Sequence, residues 1–466
     1  MLVPDTTPLP AERMLPPGSA AISTGGYRLP SLMKPEERPD RLILVAMSGG
    51  GKRSAAFSYG VLKGMREMMV PTPAGPRPLL DQIDAITGIS GGSFTAAYYG
   101  LHRAAAFGQY EQDFLYSDTN SYIWGIYLLP WNWTWLSDPL VGTNDFMNKV
   151  YDDTMFHGAR YRDLQALGKP LIAVGATDIS YGTPMLFSQE TFDLICSDLN
   201  DFSLARAVAA SNGFPGLFSP ITLTSHRQQC GDRKPGWLAL VPPAAKTNPL
   251  SRVGVAARQT ERYLDPERTK YLHLADGGIS DNLGLRVTGD LLTNAALARD
   301  QLMARGYDRI RRILLISVDG QGAQDTTIAQ QRLVGGLFSL LGLVSGAQID
   351  AYNFETLGAV AQQVAAVTST LREVRCAEAP VIDGAPCGDV QGDLIRVSLA
   401  GMPEGPEKAK LLAIPTGLTI DRTDVDLLIQ AGTDAVTQSE PLRRFLATFP
   451  GPTPPAPVLT QRQKRR

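Results

Sequence analysis

Asp84-Ala-Ile-Thr-Gly-Ile-Ser-Gly-Gly-Ser93 sets a Gly-x-Ser-x-Gly pattern, Gly88 to Gly92, directly behind an apolar run. Such a pattern suits a sharp turn from a strand into a helix, which strains the serine backbone and presents its hydroxyl for attack. Glycines two before and two after the serine remove Cβ atoms that would collide in so tight a turn. Ile83, Ala85 and Ile86 supply the strand, and residues 93–106, rich in alanine and aromatics, are predicted as the helix. A serine at a helix N-terminus lies near the positive end of the dipole, where a developing oxyanion is stabilised. The chain has 45 glycines, so the pattern can also arise by chance as a plain turn, and its weight depends on its surroundings.

Upstream, Arg41-Leu-Ile-Leu-Val-Ala-Met47 reads as a buried strand. It runs into Ser48-Gly-Gly-Gly-Lys-Arg-Ser54, and a helix follows with Phe57, Val61, Leu62, Met65, Met68 and Met69 as its apolar positions. Three readings of this glycine loop compete. A phosphate-binding P-loop fails at two positions, where Ala46 replaces the first glycine and Arg53 the Ser/Thr. A dinucleotide loop fits at Gly49 and Gly51 but meets Ser54 at its last position. The third reading is an oxyanion hole, in which successive backbone N–H groups converge on one oxygen without side-chain obstruction. The loop lies one strand ahead of Ser90 in a parallel sheet, which favours that reading.

Downstream, residues 79–87 are predicted as the second strand. Four of the five tryptophans, Trp124, Trp131, Trp133 and Trp135, fall between residues 122 and 139, as a lid or rim that meets lipid or as an aromatic patch over the core. Pro170-Leu-Ile-Ala-Val-Gly-Ala-Thr-Asp178 is a buried strand with a hairpin return at Tyr181-Gly-Thr-Pro184 and a further strand at Met185-Leu-Phe-Ser188. Residues 204–211 form a small-residue helix ending at Asn212-Gly-Phe-Pro215, a candidate floor for a site. Residues 242–268, rich in proline and charge, read as an insertion or flexible loop. Tyr271-Leu-His-Leu-Ala-Asp276 is a strand ending in an acid before Gly277-Gly278, the position where α/β sheets set functional groups. Arg312 to Asp319 repeats that pattern as a weaker candidate. Residues 333–349 carry no charge but are too short and glycine-rich to span a membrane, and are predicted as a buried or membrane-apposed helix. Residues 421–436 read as an amphipathic helix with Val425, Leu428, Ile429 and Ala435 on its apolar face.

The composition is that of a globular protein, 44% hydrophobic and 19% charged. The 44 basic and 46 acidic residues nearly cancel, which removes any electrostatic case for nucleic acid as a partner. The domain reading is a proline-rich arm at 1–38, extended over one α/β domain at 39–450, and a basic disordered tail at 451–466; insertions are expected near 120–140, 242–268 and 333–390. The four cysteines form no Cys-x-x-Cys pair, so no structural zinc is expected. Pairing by proximity gives Cys196–Cys230 and Cys376–Cys387, and four reduced thiols are the alternative. The proline-rich start of the chain shows no apolar signal core, so that either the protein stays in the cytoplasm, against the oxidising compartment that disulfides would require, or a targeting segment is missing from the sequence.

A serine nucleophile needs a base. The four histidines, His102, His157, His226 and His273, all precede Asp276, so the order Ser…Asp…His cannot use it. His273 and Asp276 stand three apart on one strand and point to opposite faces. A Ser90–Asp276 dyad is the simpler arrangement, with the carboxylate accepting the serine proton.

Gly49-Gly50-Gly51-Lys52-Arg53 after one strand, Gly88-Ile89-Ser90-Gly91-Gly92 after the next and Asp276-Gly277-Gly278 after a late one together resemble the patatin-like phospholipase family. The resemblance covers about residues 41–320, and Ser54 departs from it where the family loop has a glycine. It implies a three-layer α/β/α sandwich with a mostly parallel central sheet, which the serial strand–helix pattern favours independently. It implies Ser90 as nucleophile, Asp276 as base, and the amides of Gly49, Gly50 and Gly51 as oxyanion hole. Arg53, Gly88, Gly92, Gly277 and Gly278 would support them, Arg53 by bracing the loop or attracting a phosphate head group. No cofactor or metal is implied. The substrate would be a lipid or phospholipid ester at a membrane surface. Acyl transfer through the same acyl-enzyme and a non-catalytic lipid-binding envelope protein are the alternatives. The resemblance, the disulfides and the tryptophans lean toward the bacterial envelope.

Overall fold

Strands that are apolar at nearly every position need cover on both faces, and three of those in this chain meet that description. Arg41–Met47 (β1), Leu171–Asp178 (β3) and Arg312–Asp319 (β7) are buried almost throughout. In this computed structural model, which describes residues 5–33, 40–72, 74–129, 141–297, 309–323, 329–332 and 337–450, they are joined by Ala85–Ile89 (β2), Thr183–Leu186 (β4), Ile221–Thr224 (β5), Tyr271–Asp276 (β6) and Gln391–Ser398 (β8). The eight form one sheet in the order β8-β7-β1-β2-β3-β6-β5, with β4 also on β3. β8, β7, β1, β2 and β3 run parallel, while β4, β5 and β6 are antiparallel to their neighbours.

Helices cover both faces. On one side Gly51–Glu67 (α1), Gly91–His102 (α2), Leu204–Ser211 (α4) and Arg422–Thr437 (α8) pack over Val45, Met47, Ile86, Ile172 and Val174. α1 is buried on nearly all sides because α8 lies across it. A Cβ at Gly60 would stand 2.0 Å from the Ile429 carbonyl oxygen, so the two backbones touch where α1 has no side chain. On the other side Arg286–Leu297 (α6) and Leu337–Glu378 (α7) close over Leu44, Ala46, Ile313 and Leu315, with Val360, Val364, Val367 and Leu371 supplied by α7. The mixed α/β architecture is therefore a mostly parallel sheet between two helical layers, with α3 (Thr119–Leu128) and α5 (Arg252–Tyr263) at its periphery.

The N-terminal arm is ordered across residues 5–33. Its strand Thr7–Pro8 pairs with Ser197–Asp198, Arg28 bridges Asp193 at 3.1 Å, and the buried Tyr27 hydroxyl accepts from the Ile172 amide at 2.7 Å. Cys196 is bonded to Cys230, inside a small cluster with Leu9 and Ile22, and Cys376 to Cys387, which ties the end of α7 to the following hairpin.

The structure departs from the sequence reading in several places. Residues 79–87 do not make one strand: Leu79–Gln82 is a 3-10 turn, and the strand starts at Ala85 and carries on to Ile89. The helix after Ser90 begins at Gly91 and stops at His102. Residues 242–268 are not a loop. Pro243–Thr247 and α5 are helices, since Pro243 sits at the first helical position, where its missing N–H costs nothing, and Ala257 and Tyr263 anchor α5. Of the uncharged stretch 333–349, residues 337–349 are the beginning of α7, which runs on to Glu378 as part of a covering layer, and residues 333–336 lie outside the described residues. Among the described residues no helix is long and apolar enough to cross a membrane. Trp131, Trp133, Trp135 and the tail 451–466 lie outside the described residues.

Candidate active site

Ser90 stands between β2 and α2 at φ 47°, ψ −117°. A non-glycine residue there costs about 1–3 kcal/mol and must be held by its surroundings. The holding bonds are local. The Ser90 amide donates to Ser211 Oγ at 2.8 Å, and Ser211 Oγ donates to the Gly175 carbonyl at 2.5 Å. The Ser90 carbonyl accepts from the amide and hydroxyl of Ser93 at 3.0 and 2.6 Å. The flanking glycines are needed for space. A Cβ at Gly92 would lie 2.6 Å from the Met47 carbonyl oxygen, and one at Gly88 would lie 2.7 Å from that of Gly92.

Asp276 reaches Ser90 because two strands meet head-on. Amides along β3 point alternately to its two edges. Leu171 donates to Asp84, just before β2, and Ile179 donates to His273 in β6, while the Val174 carbonyl accepts from Phe187 beyond β4. So β2 and β6 share one edge of β3, and β4 takes the other. Along that edge Ile89 pairs with Gly175 and Asp276 with Ala176. β2 rises to this level and β6 descends to it, so each strand's end abuts the other's. At the junction Ser90 Oγ donates to Asp276 Oδ2 at 2.8 Å, and to Asn212 Oδ1 at 3.2 Å. Asp276 Oδ1 accepts from the Gly278 amide at 2.7 Å. The Gly277 amide donates to the Ser211 carbonyl at 3.1 Å, and a Cβ there would strike the Gly175 carbonyl oxygen at 2.4 Å.

Burial pushes the Asp276 carboxyl up to about 6, against the smaller opposing effects of the Gly278 amide and the Ser90 hydroxyl. No histidine is bonded to it. His102 meets the Met155 carbonyl, His226 the Thr6 carbonyl and His273 the Thr222 hydroxyl. Asp319, the weaker acid candidate, is paired with Arg396 at 2.6 Å.

The glycine loop joins β1 to α1 beside Ser90. Its three glycine amides are not equally free. The Gly49 amide is committed to the Asn282 carbonyl at 2.9 Å, so it cannot also hold an oxyanion. The Lys52 amide is likewise committed, to the Gly417 carbonyl at 2.8 Å. Between them the amides of Gly50 (φ 127°) and Gly51 (φ 58°) have no acceptor among the described residues. Arg53 is buried, with Nε donating to the Gly320 carbonyl at 2.9 Å and Nη1 to that of Ile414 at 2.8 Å. Burial lowers its pKa to about 10. Nε and Nη1 are thus both engaged by backbone carbonyls. Lys52 is also buried; its Nζ meets the Ser117 carbonyl and, at 3.1 Å, the Ser117 hydroxyl.

Sequence reasoning did not single out Ser211, Asn212 or Asn282. The signal for the first two was present, a polar pair closing a helix that is otherwise small and apolar apart from Arg206. Asn282 acts through its backbone carbonyl and left no signal.

The model of the patatin-like phospholipase family matches residues 45–288, which hold the glycine loop, Ser90 and Asp276. The chain belongs to this family. No curated protein matches its sequence. Among solved structures, human GIVD cytosolic phospholipase A2 aligns at 12% identity and a TM-score of 0.42, over 90% of this chain and 65% of that one. The same human enzyme in complex with methyl gamma-linolenyl fluorophosphonate and terbium chloride aligns at 13% identity and a TM-score of 0.40, over 90% and 62%. The patatin-like chain thus spans less than two thirds of the length of the human protein. β7, α7, β8 and α8 lie beyond the family-matched residues yet complete the sheet and its cover.

Proposed function

We propose that this patatin-like protein is a serine hydrolase of lipid carboxylic esters, of phospholipase A or lysophospholipase type, acting through a Ser90–Asp276 dyad. The observation that carries the reading is the 2.8 Å contact between Ser90 Oγ and a buried carboxylate whose proton affinity is raised. In the first step Asp276 Oδ2 takes the hydroxyl proton as Ser90 Oγ attacks the ester carbonyl carbon. The carbonyl oxygen becomes an oxyanion, stabilised by the amides of Gly50 and Gly51 and by the N-terminus of α2. Collapse expels the alcohol, a lysolipid or glycerol derivative, which leaves with the proton held on Asp276. A water molecule then gives a proton to Asp276 and attacks the acyl-enzyme. The second collapse releases the fatty acid and returns the proton to Ser90.

A lipid surface is the proposed partner. Tyr122, Trp124, Leu128 and Leu129, on and just after α3, are all exposed, Trp124 to 63%. Apolar rings with one polar edge suit a membrane–water boundary. Ser117 and Asp118, at the foot of α3, bond Lys52 and Thr419 beside the glycine loop, so this face adjoins the site.

The test is labelling by a fluorophosphonate, with fatty-acid release from liposomes read in parallel on wild type, Ser90→Ala and Asp276→Asn. Wild type is expected to label and to release fatty acid, and Ser90→Ala to do neither. Undiminished release by folded Ser90→Ala would overturn the reading.

A further inference from the structure

Two cations, Lys52 and Arg53, occupy the first turn of α1, where the helix dipole repels positive charge, and both are buried. Helix stability does not account for them. What they touch does, and much of it lies outside the family-matched residues. The Arg53 guanidinium spans two carbonyls, Gly320 through Nε and Ile414 through Nη1. The Gly417 carbonyl accepts from the Lys52 amide at 2.8 Å, and a Cβ on Gly51 would stand 2.5 Å from that same oxygen. The segment is anchored in turn: the Ala323 amide donates to the Leu412 carbonyl, and Ile414 is buried in the main core. Two residues on, Thr419 Oγ1 donates to Asp118 and accepts from the Asn120 amide at the foot of α3.

We propose that residues 414–419 are a clamp built into the acyl-transfer site from outside the family domain, setting the Gly50 and Gly51 amides in place, with Arg53 as the positioning residue. This rests on the hydrolase reading above. The clamp explains a pattern along the loop. The Gly49 amide is pinned from one side by Asn282 and the Lys52 amide from the other by Gly417, which leaves the two amides between them without an acceptor among the described residues. A guanidinium is required, since only its rigid fork reaches two carbonyls at once. Lysine can satisfy one of them and frees the other.

The experiment compares full-length wild type, Arg53→Lys and Gly322→Ala on a soluble p-nitrophenyl ester, with active sites counted by fluorophosphonate titration and folding followed by thermal denaturation. Gly322→Ala perturbs the same contact from the opposite side: its methyl would press the Arg53 guanidinium from 2.7 Å while leaving the charge in the chain. Donors displaced by about 1 Å lose on the order of 10²-fold in rate. Both variants are therefore expected to lose about 10²-fold in kcat per titrated site, with KM within about twofold of wild type. A lowered Tm with wild-type kcat per titrated site in either folded variant would reduce Arg53 to a structural residue and overturn the proposal. Ser90→Ala run alongside separates the two claims. If it still hydrolyses the ester, the hydrolase reading falls and the clamp with it; if it is inactive while both clamp variants turn over normally, the clamp alone falls.

Discussion

Asp276→Asn removes a base and a buried charge in one step, and the two losses have opposite signs for the protein. The carboxyl sits at about 6 in the folded chain against an ordinary 3.8, through burial. Between those values the folded chain holds a proton that the unfolded chain has released, so stability falls as pH rises from about 4 to about 6 and stays lowered above. The gap is worth about 3 kcal/mol at most. Asparagine is neutral at every pH, and its shape suits the site: its carbonyl can accept from the Gly278 amide, and its NH2 can donate to Ser90 Oγ. Asp276→Asn should therefore be more stable than wild type at pH 7.5 and match it near pH 3.5. In a chain of this length 1 kcal/mol moves Tm by about 1 °C, so the expected rise is about 2–3 °C. Asp281, buried nearby, is also raised to about 6, but it is present in both proteins, so their difference isolates Asp276.

Activity moves the other way. Loss of a general base costs about 10²–10⁴-fold, and kcat/KM for wild type should fall below a midpoint near pH 6 as Asp276 takes up its proton. The assays are scanning calorimetry at the two pH values and initial rates across pH 4–8. An Asn variant less stable than wild type at pH 7.5, or an acid limb centred near pH 4, would refute the claim that burial sets the basicity of this carboxylate.

Ser211→Ala strips the acceptor from the Ser90 amide and the donor from the Gly175 carbonyl, both buried. It should cost about 2–4 kcal/mol in denaturant unfolding and lower kcat more than it raises KM, since the strained Ser90 backbone loses a support. Cys230→Ala opens a loop of 34 residues that holds the arm's Leu9 and Ile22 against the domain. It should cost about 4 kcal/mol, and reductant should lower wild-type stability while sparing the part of that loss already taken in the variant.

What could be read from the sequence was whatever backbone geometry forces onto residue type. Gly88, Gly92 and Gly277 are glycines because a carbonyl oxygen occupies the place of their Cβ, and that demand was legible without a structure. The long apolar strands announced a sheet covered on both faces. The course of β6 was not legible. Nothing in Tyr271-Leu-His-Leu-Ala-Asp276 tells an antiparallel strand from a parallel one, and the meeting with β2 depends on that direction. α5 was missed because it buries only Gly254, Ala257 and Tyr263, a stripe too thin to stand out among its charges. Arg53 was half-legible. Its position beside the glycines marked it, but its partners Gly320 and Ile414 lie more than 260 residues away and act through backbone carbonyls.

The glycine loop poses a remaining question: why three glycines should stand in a row if only two amides are free. The first has a different task. A Cβ on Gly49 would meet Asn282 Oδ1 at 2.5 Å and the Ser90 Cβ at 3.3 Å, so a side chain there would drive apart the loop and the nucleophile. Gly50 and Gly51 both have positive φ, a conformation that side chains disfavour, and theirs are the amides the proposed mechanism uses. The Ser90 amide is spent on Ser211, so the turn that strains the serine cannot also supply that donor. In the proposed hydrolase the work is thus divided between two loops on adjacent strands. One presents the nucleophile and holds it in a costly conformation, and the other holds the charge that the nucleophile creates. A clamp from the C-terminal region follows from that division, because two loops that are separate in sequence need a third element to keep them in register.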